Sequence, residues 1–208
     1  MKKLIILLLA LLGILIGCSH EEILEYNMFY RYENNEYIDI NFYKNGSEEN
    51  ANDILCLIDY WNTMLDHEHV NDTKNNLAAL NVNKYATLDA KLVELIEYTI
   101  DLSKSYKVVN PLYGTLKDLW DLHMITEELP TENECLTQIE VSLSTRVAIN
   151  DNDVHLLGDG LIDLDYIKKG FIGEKIKEYL ISKGIDRYVI NYNADLVLYG
   201  KNKNGRHC

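Results

Sequence analysis

Proline is almost absent from this chain of 208 residues; Pro111 and Pro130 are the two it has. There is no low-complexity tract and no internal repeat either, so nothing reads as a linker or a repeat array. Cysteine is scarce as well. Cys18, Cys56, Cys135 and Cys208 fall at no metal-ligand spacing and imply no disulfide framework. Cys56 stands in an apolar helical run and is expected to be buried as a small hydrophobe. Basic residues are also few, with 20 Lys and Arg against 33 Asp and Glu, a formal charge of −13. Nucleic-acid binding is driven by cationic neutralisation of phosphate, so that class is excluded.

Long apolar runs are missing except at the start. Lys2 and Lys3 precede an apolar run from Leu4 to Ile16, which closes on Leu15-Ile16-Gly17-Cys18. The run is short for a bilayer span and ends in a small residue, so it reads as an export signal with a lipobox. Cleavage before Cys18 would leave that residue to carry the lipid anchor; an uncleaved membrane anchor is the alternative. The expected organisation is a signal peptide over 1–18 and one domain with one core over 19–208. The expected location is the extracytoplasmic face of the cell membrane.

Residues 24–44 alternate in β fashion around Glu33-Asn34-Asn35 and predict a hairpin, followed by a turn at Lys44-Asn45-Gly46-Ser47. Ile54, Leu55, Ile58, Trp61, Met64 and Leu65 have helical spacing over 51–65. The polar stretch 66–81 contains Asp66, His67, His69 and Asp72, which reads as a solvated loop rather than a metal cluster. Thr87 is expected to cap a helix over 89–105. Asn110-Pro111 breaks the pattern, and Leu112, Leu116, Leu119 and Trp120 predict a short helix packed on the core. Thr131-x-x-Glu134 is a capping box opening a helix to about Ile139. Arg146–Asn150 and Val154–Leu157 flank a turn and predict a second hairpin. The fold class is α+β, with antiparallel hairpins packed with several helices.

From Gly160 to Gly200 the order strand, helix, strand, strand is expected. Leu161, Ile162 and Leu164 form the first run, and Ile167, Phe171, Ile172, Ile176, Tyr179 and Leu180 form a helix face. Gly184 marks the helix end, and the runs Tyr188–Tyr192 and Leu196–Tyr199 follow. Asp163-Leu164-x-x-Ile167-x-Lys169-Gly170, with Gly184-Ile185, Ile190-Asn191 and Gly200 after it, resembles the central signature of the FAD:protein FMN transferases. These are the ApbE-type flavin transferases, or thiamine-biosynthesis lipoproteins. Asn110-Pro111-x-x-Gly114-x-Leu116-x-x-Leu119-Trp120 resembles the second signature of that family. The likeness spans roughly residues 25 to 205, and Leu77-x-x-Leu80-Asn81 keeps the tail of a serine-rich family motif without its serines.

The resemblance implies transfer of FMN from FAD to a threonine hydroxyl of a partner flavoprotein at the membrane or cell surface, with release of AMP. It implies Mg²⁺ as the cofactor, since phosphoryl transfer is a matter of positioning and charge neutralisation. An anionic flavin nucleotide needs such help near a chain this acidic. Asp163 is implied to contact the nucleotide, its alternative being a helix N-cap. Tyr166 stands where the family offers a backbone oxygen to the metal. Lys169 is implied to lie near FAD, or else is a solvated helix lysine. Val108, Val109 and Asn110 match the segment lining the FAD site, with strand core the competing role for the valines. Asn191 and Asp195 match the ends of a ligand-binding turn, or are plain turn residues.

The departures bear on activity. Asp165-Tyr166 and Asn193-Ala194 replace two Gly-Gly pairs, and Lys168 replaces an alanine. Side chains in place of glycines are expected to crowd a nucleotide pocket. The chain is also expected to be incomplete at its C-terminal end, short of the family's side-chain Mg²⁺ ligands, so that the 208 residues alone transfer little FMN. The alternative is a catalytically inactive lipoprotein of the same fold, a binding module or a decayed remnant.

Overall fold

The described residues of this computed structural model are 26–33, 36–106, 108–193 and 195–199. The strands are β1 (Tyr26–Glu33), β2 (Glu36–Phe42), β3 (Tyr85–Thr87), β4 (Arg146–Asn150), β5 (Asp153–Leu157), β6 (Tyr188–Tyr192) and β7 (Asp195–Tyr199). The helices are α1 (Glu48–Met64), α2 (Leu77–Asn83), α3 (Ala90–Ser105), α4 (Gly114–Thr126), α5 (Glu132–Ser144) and α6 (Asp165–Ser182). The chain, for which the sequence predicts one core, divides into two compact units. One takes in the described residues up to Glu48 and from Ile181 on; the other is Glu49–Leu180.

In the first unit the strands lie in the order β1-β2-β6-β7, each neighbour antiparallel. Ile38, Ile40 and Phe42 face Tyr192, Ile190 and Tyr188 across the β2–β6 pair, and all six are buried. Period-two alternation sets this register, because a slip of one residue would turn every apolar side chain outward. The β6–β7 turn holds Asn193 at φ +49°, a left-handed conformation that asparagine tolerates. Its side-chain oxygen accepts from the Tyr37 amide at 2.6 Å. Asparagine thus serves at a position where the signature that the sequence resembles has glycine. Gly184 has φ +71° and ends the α6 segment as expected.

In the second unit α1 buries Ala51, Ile54, Ile58, Trp61 and Met64 along one stripe. Cys56 points off that stripe and is exposed, so its expected burial is corrected: apolar neighbours in sequence lie around the helix, not on one side of it. Asp89, not Thr87, caps α3, accepting from the Lys91 amide at 2.8 Å. The other Asp89 oxygen accepts from the Tyr60 hydroxyl, which burial foremost, and then this carboxylate, pushes up to about 12. Thr87 instead closes β3, its hydroxyl 2.6 Å from Asp153 across the sheet. The three-stranded sheet runs β3-β5-β4.

The Thr131–Glu134 capping box is present, and α5 runs on to Ser144, five residues past the expected end. Helix α4 differs from expectation. Gly114 is its buried residue, and Leu122, Met124 and Ile125 are exposed. Residues 161–164 do not form a strand; they make one parallel bridge, Tyr113 with Leu161. Among the described residues no helix is long and apolar enough to cross a membrane. The Cys18 lipobox lies outside the described residues.

Candidate functional site

Apart from the Tyr113–Leu161 bridge, residues 158–164 pair with no strand among the described residues, so their backbone groups need other partners. Side chains distant in sequence supply them. The Gly160 amide donates to the Thr145 hydroxyl at 2.8 Å, and Lys84 Nζ donates to the Gly160 carbonyl at 3.0 Å. The buried Asn81 side chain takes both ends of Ile162: Oδ1 accepts from its amide at 2.8 Å, and Nδ2 donates to its carbonyl at 2.9 Å. Next along the chain, the Asp163 amide donates to the Pro111 carbonyl at 2.9 Å and the Gly114 amide to the Leu161 carbonyl at 3.1 Å. A Cβ on Gly114 would stand 2.8 Å from that carbonyl oxygen. Glycine is required there because two backbones touch. The two signature segments, about 50 residues apart in sequence, are thereby joined into one corner.

Beside the corner opens a cavity of about 430 Å³, lined by Val108, Val109, Asn110, Tyr113, Leu116, Lys117, Trp120, Asp163 and Tyr166. Its size falls in the range of small-molecule sites. Five of the residues singled out from sequence therefore share one wall. Val108 is 87% exposed and sits in a turn, which corrects the strand-core reading of the valines. Asn110 Oδ1 accepts from the Leu112 amide at 3.0 Å and shapes that turn. Asp163 lines the cavity; its Oδ1 accepts from the Asp165 amide at 2.8 Å, one residue ahead of Leu164, whose carbonyl accepts the first bonds of α6.

Tyr166 lies in the first turn of α6, where a carbonyl accepts from the amide four residues on. Lys169 is exposed, farther along α6, and does not line the cavity. Asn191 lies in β6 and Asp195 opens β7, both in the sheet of the first unit.

Sequence reasoning missed His67. Its side chain is 5% exposed, with Nδ1 at 3.7 Å from Asp163 Oδ1 and 3.9 Å from Asp165 Oδ2. His69, by contrast, is 79% exposed, as a solvated loop predicts. The loop is tied down by Asp66, which accepts from the Glu68 and His69 amides at 2.8 and 2.9 Å. The Asn81 side chain also reaches the His67 carbonyl at 3.4 Å. The surviving Leu77-x-x-Leu80-Asn81 tail was the available signal, since the same Asn81 holds Ile162.

The corner is acidic. Burial holds the Asp163 carboxyl above its ordinary range, against the Asp165 amide that pulls it down; the neighbouring Asp165 carboxylate adds to the rise. Burial likewise raises Asp118 against the attraction of His67 and Lys117. Lys117 is the lining cation. Burial opposes its charge, but Asp121 at 2.6 Å, with Asp165 and Asp163 beyond, outweighs that and raises its pKa. Asp163 and Lys117 line the aromatic cavity, with His67 and Asp165 beside Asp163, so the corner can hold a cation and the cavity a planar ligand. An anion would be repelled unless a cation met it.

The model of the ApbE family matches residues 37–208. Among solved structures, the flavin transferase ApbE from Vibrio cholerae is similar at TM-score 0.70 and 17% identity, over 88% of this chain and 62% of that one. The apo flavinyl transferase ApbE of Pseudomonas stutzeri has TM-score 0.73 at 13% identity, over 88% and 61%. The ApbE protein of Thermotoga maritima has TM-score 0.71 at 15% identity, over 86% and 60%. The chain thus spans about three-fifths of the length of these structures. None of the curated proteins compared matches it.

Proposed function

The chain belongs to the ApbE family, and on that premise we propose that it is a flavin transferase working at the acidic corner. In this reading it takes FAD, passes FMN to a threonine hydroxyl of a partner flavoprotein and releases AMP. The bond formed joins the threonine oxygen to the FMN phosphorus. The bond broken is that phosphorus to the oxygen leaving with AMP, and the hydroxyl proton is lost. The supporting observation is the joining of the two signatures, which puts Asp163 on the same cavity wall as Val108, Val109 and Asn110.

Tyr113, Trp120 and Tyr166 offer aromatic faces for the isoalloxazine ring, and Lys117 offers a charge to a phosphate. Asn110 fixes the turn that presents the valines. Mg²⁺, which the resemblance implies, takes octahedral oxygen donors. The corner instead sets an imidazole nitrogen against two carboxylates. The Tyr166 carbonyl belongs to the first turn of a helix. That donor set does not fit a dedicated Mg²⁺ cage.

FAD is expected to quench the tryptophan fluorescence of the full chain, and Trp120→Ala to weaken its binding about tenfold, as loss of one stacking face does. AMP release with a threonine-motif acceptor tests the transfer itself. A full chain that neither quenches with FAD nor releases AMP would overturn the reading. Tyr166 favours a second reading, a flavin-binding module without transfer. It stands in the cavity wall where the family has glycine, and FAD binding without AMP release would establish it. The Cys18 lipobox supports a lipid-anchored, extracytoplasmic location close to membrane flavoproteins; mass spectrometry of the N-terminal peptide tests it.

A further inference from the structure

We propose that His67 Nδ1, Asp163 and Asp165 form a cation site that takes a divalent first-row transition ion, Mn²⁺ or Zn²⁺, in preference to Mg²⁺. One ligand atom from each lies within 4.8 Å of the others. The Nδ1 separations of 3.7 and 3.9 Å are too long for hydrogen bonds. Two tetrahedral donors, each about 2.1 Å from one ion, stand about 3.4 Å apart, so an approach of a few tenths of an ångström would bring these atoms onto a shared ion.

The histidine itself points to a ligand. Its side chain is 5% exposed, and a buried imidazole ordinarily finds hydrogen-bond partners. Among the described residues His67 has none: Nε2 is buried without one, and Nδ1 faces the carboxylates at 3.7 and 3.9 Å. Glu68 Oε1 stands 3.6 Å from Nε2. A small approach would let Nε2–H donate to that carboxylate, which leaves the Nδ1 lone pair for a metal, the usual outer support of a metal-binding histidine.

The other groups at the corner agree. Lys117 keeps its short contact with Asp121 at 2.6 Å and stands 3.7 Å from Asp165 Oδ2, so it can stay on Asp121 when a cation enters. Asp163 is oriented by the Asp165 amide. Imidazole beside carboxylates favours Mn²⁺ and Zn²⁺, Zn²⁺ the more tightly, whereas Mg²⁺ keeps to oxygen. Asp165 stands where the signature that this chain resembles has glycine. The existence of the site does not rest on the flavin reading.

The test is Mn²⁺ titration of the purified full chain, with free Mn²⁺ read by electron paramagnetic resonance. One Mn²⁺ per chain is expected, displaced by Zn²⁺ at concentrations at least about tenfold below those of Mg²⁺. The bound Mn²⁺ should show nitrogen coupling from an imidazole. His67→Ala should weaken Mn²⁺ binding at least about tenfold and abolish that coupling. Asp165→Asn, at a 43% exposed side chain and so safe for the fold, should weaken binding as well. No bound Mn²⁺, no nitrogen coupling, or parental affinity in a folded His67→Ala chain would overturn the site. Failure of FAD to bind while Mn²⁺ still does would sink the flavin reading and leave the site standing.

Discussion

The corner is built from two irregular segments that are held in opposite ways. Residues 158–164 hang on groups far off in sequence: Thr145, Lys84, Asn81, Pro111 and Gly114. Residues 65–76 are held largely by themselves. Asp66 accepts from the Glu68 and His69 amides, Asn71 accepts from the Thr73 and Lys74 amides, and Asn76 caps α2. Both segments present side chains to one small space, yet one is positioned by tertiary contacts and the other by turn chemistry. Their difference shows that a polar loop with its own local bonds can still aim a buried side chain, here His67, with accuracy.

Breaking the long-range support should have the largest effect. Asn81→Ala strips partners from both the amide and the carbonyl of buried Ile162, at about 1–3 kcal/mol for each group left unpaired. A total of about 2–6 kcal/mol in urea denaturation is expected, together with loss of FAD quenching. A loss below about 1 kcal/mol would mean that water or a shifted backbone replaces the side chain.

Breaking the local support should cost less. Asn76 is buried and accepts from the Ala79 amide, while its Nδ2 donates to the Thr63 and His69 carbonyls. Asn76→Ala should cost about 2 kcal/mol, as a strong N-cap does. Because the Asp66 bonds survive, it should disturb the His67 loop without shifting residues 158–164, which hydrogen exchange of the Ile162 amide would report. If that amide loses protection as fully as in Asn81→Ala, the two segments are not separately held.

The smallest effect concerns local bonding alone, at the α5 capping box. The Thr131 hydroxyl, and then its amide, hold the Glu134 carboxyl below its ordinary value. A lowered folded pKa means that the stabilisation is fully present above the unfolded value, near 4.5, and is lost as pH falls through the folded one. Melting temperature should therefore fall slightly more for the parent than for Glu134→Gln as pH drops from about 5 to 3. Identical slopes would remove the box from the account.

Contrast between near and far also explains what could be read from the chain. The capping box, the β4–β5 hairpin and the β2–β6 alternation are patterns over a few residues, and each lies where the sequence predicts it. The Thr87 cap failed because Asp89, two residues on, offers an oxygen closer to the first helical amides, while Thr87 pairs with Asp153 across a sheet that only the fold assembles. The strand expected at 161–164 failed for the same reason. Its apolar pattern is real, with Ile162 and Leu164 fully buried, but Asn81 and Pro111 supply its backbone bonds in place of a neighbouring strand.

Sequence by itself determined the family, the α+β class, most of the element boundaries and five of the residues on the cavity wall. Those follow from spacing within short segments, where sterics and periodicity act locally. Only the tertiary structure decided that Gly114 must touch Leu161, that Cys56 faces outward and that His67 turns inward to Asp163 and Asp165. Those outcomes depend on which distant backbone groups lack partners once the chain is compact. No local pattern carries that information, because the partner of a buried polar group is chosen by what the fold leaves within reach.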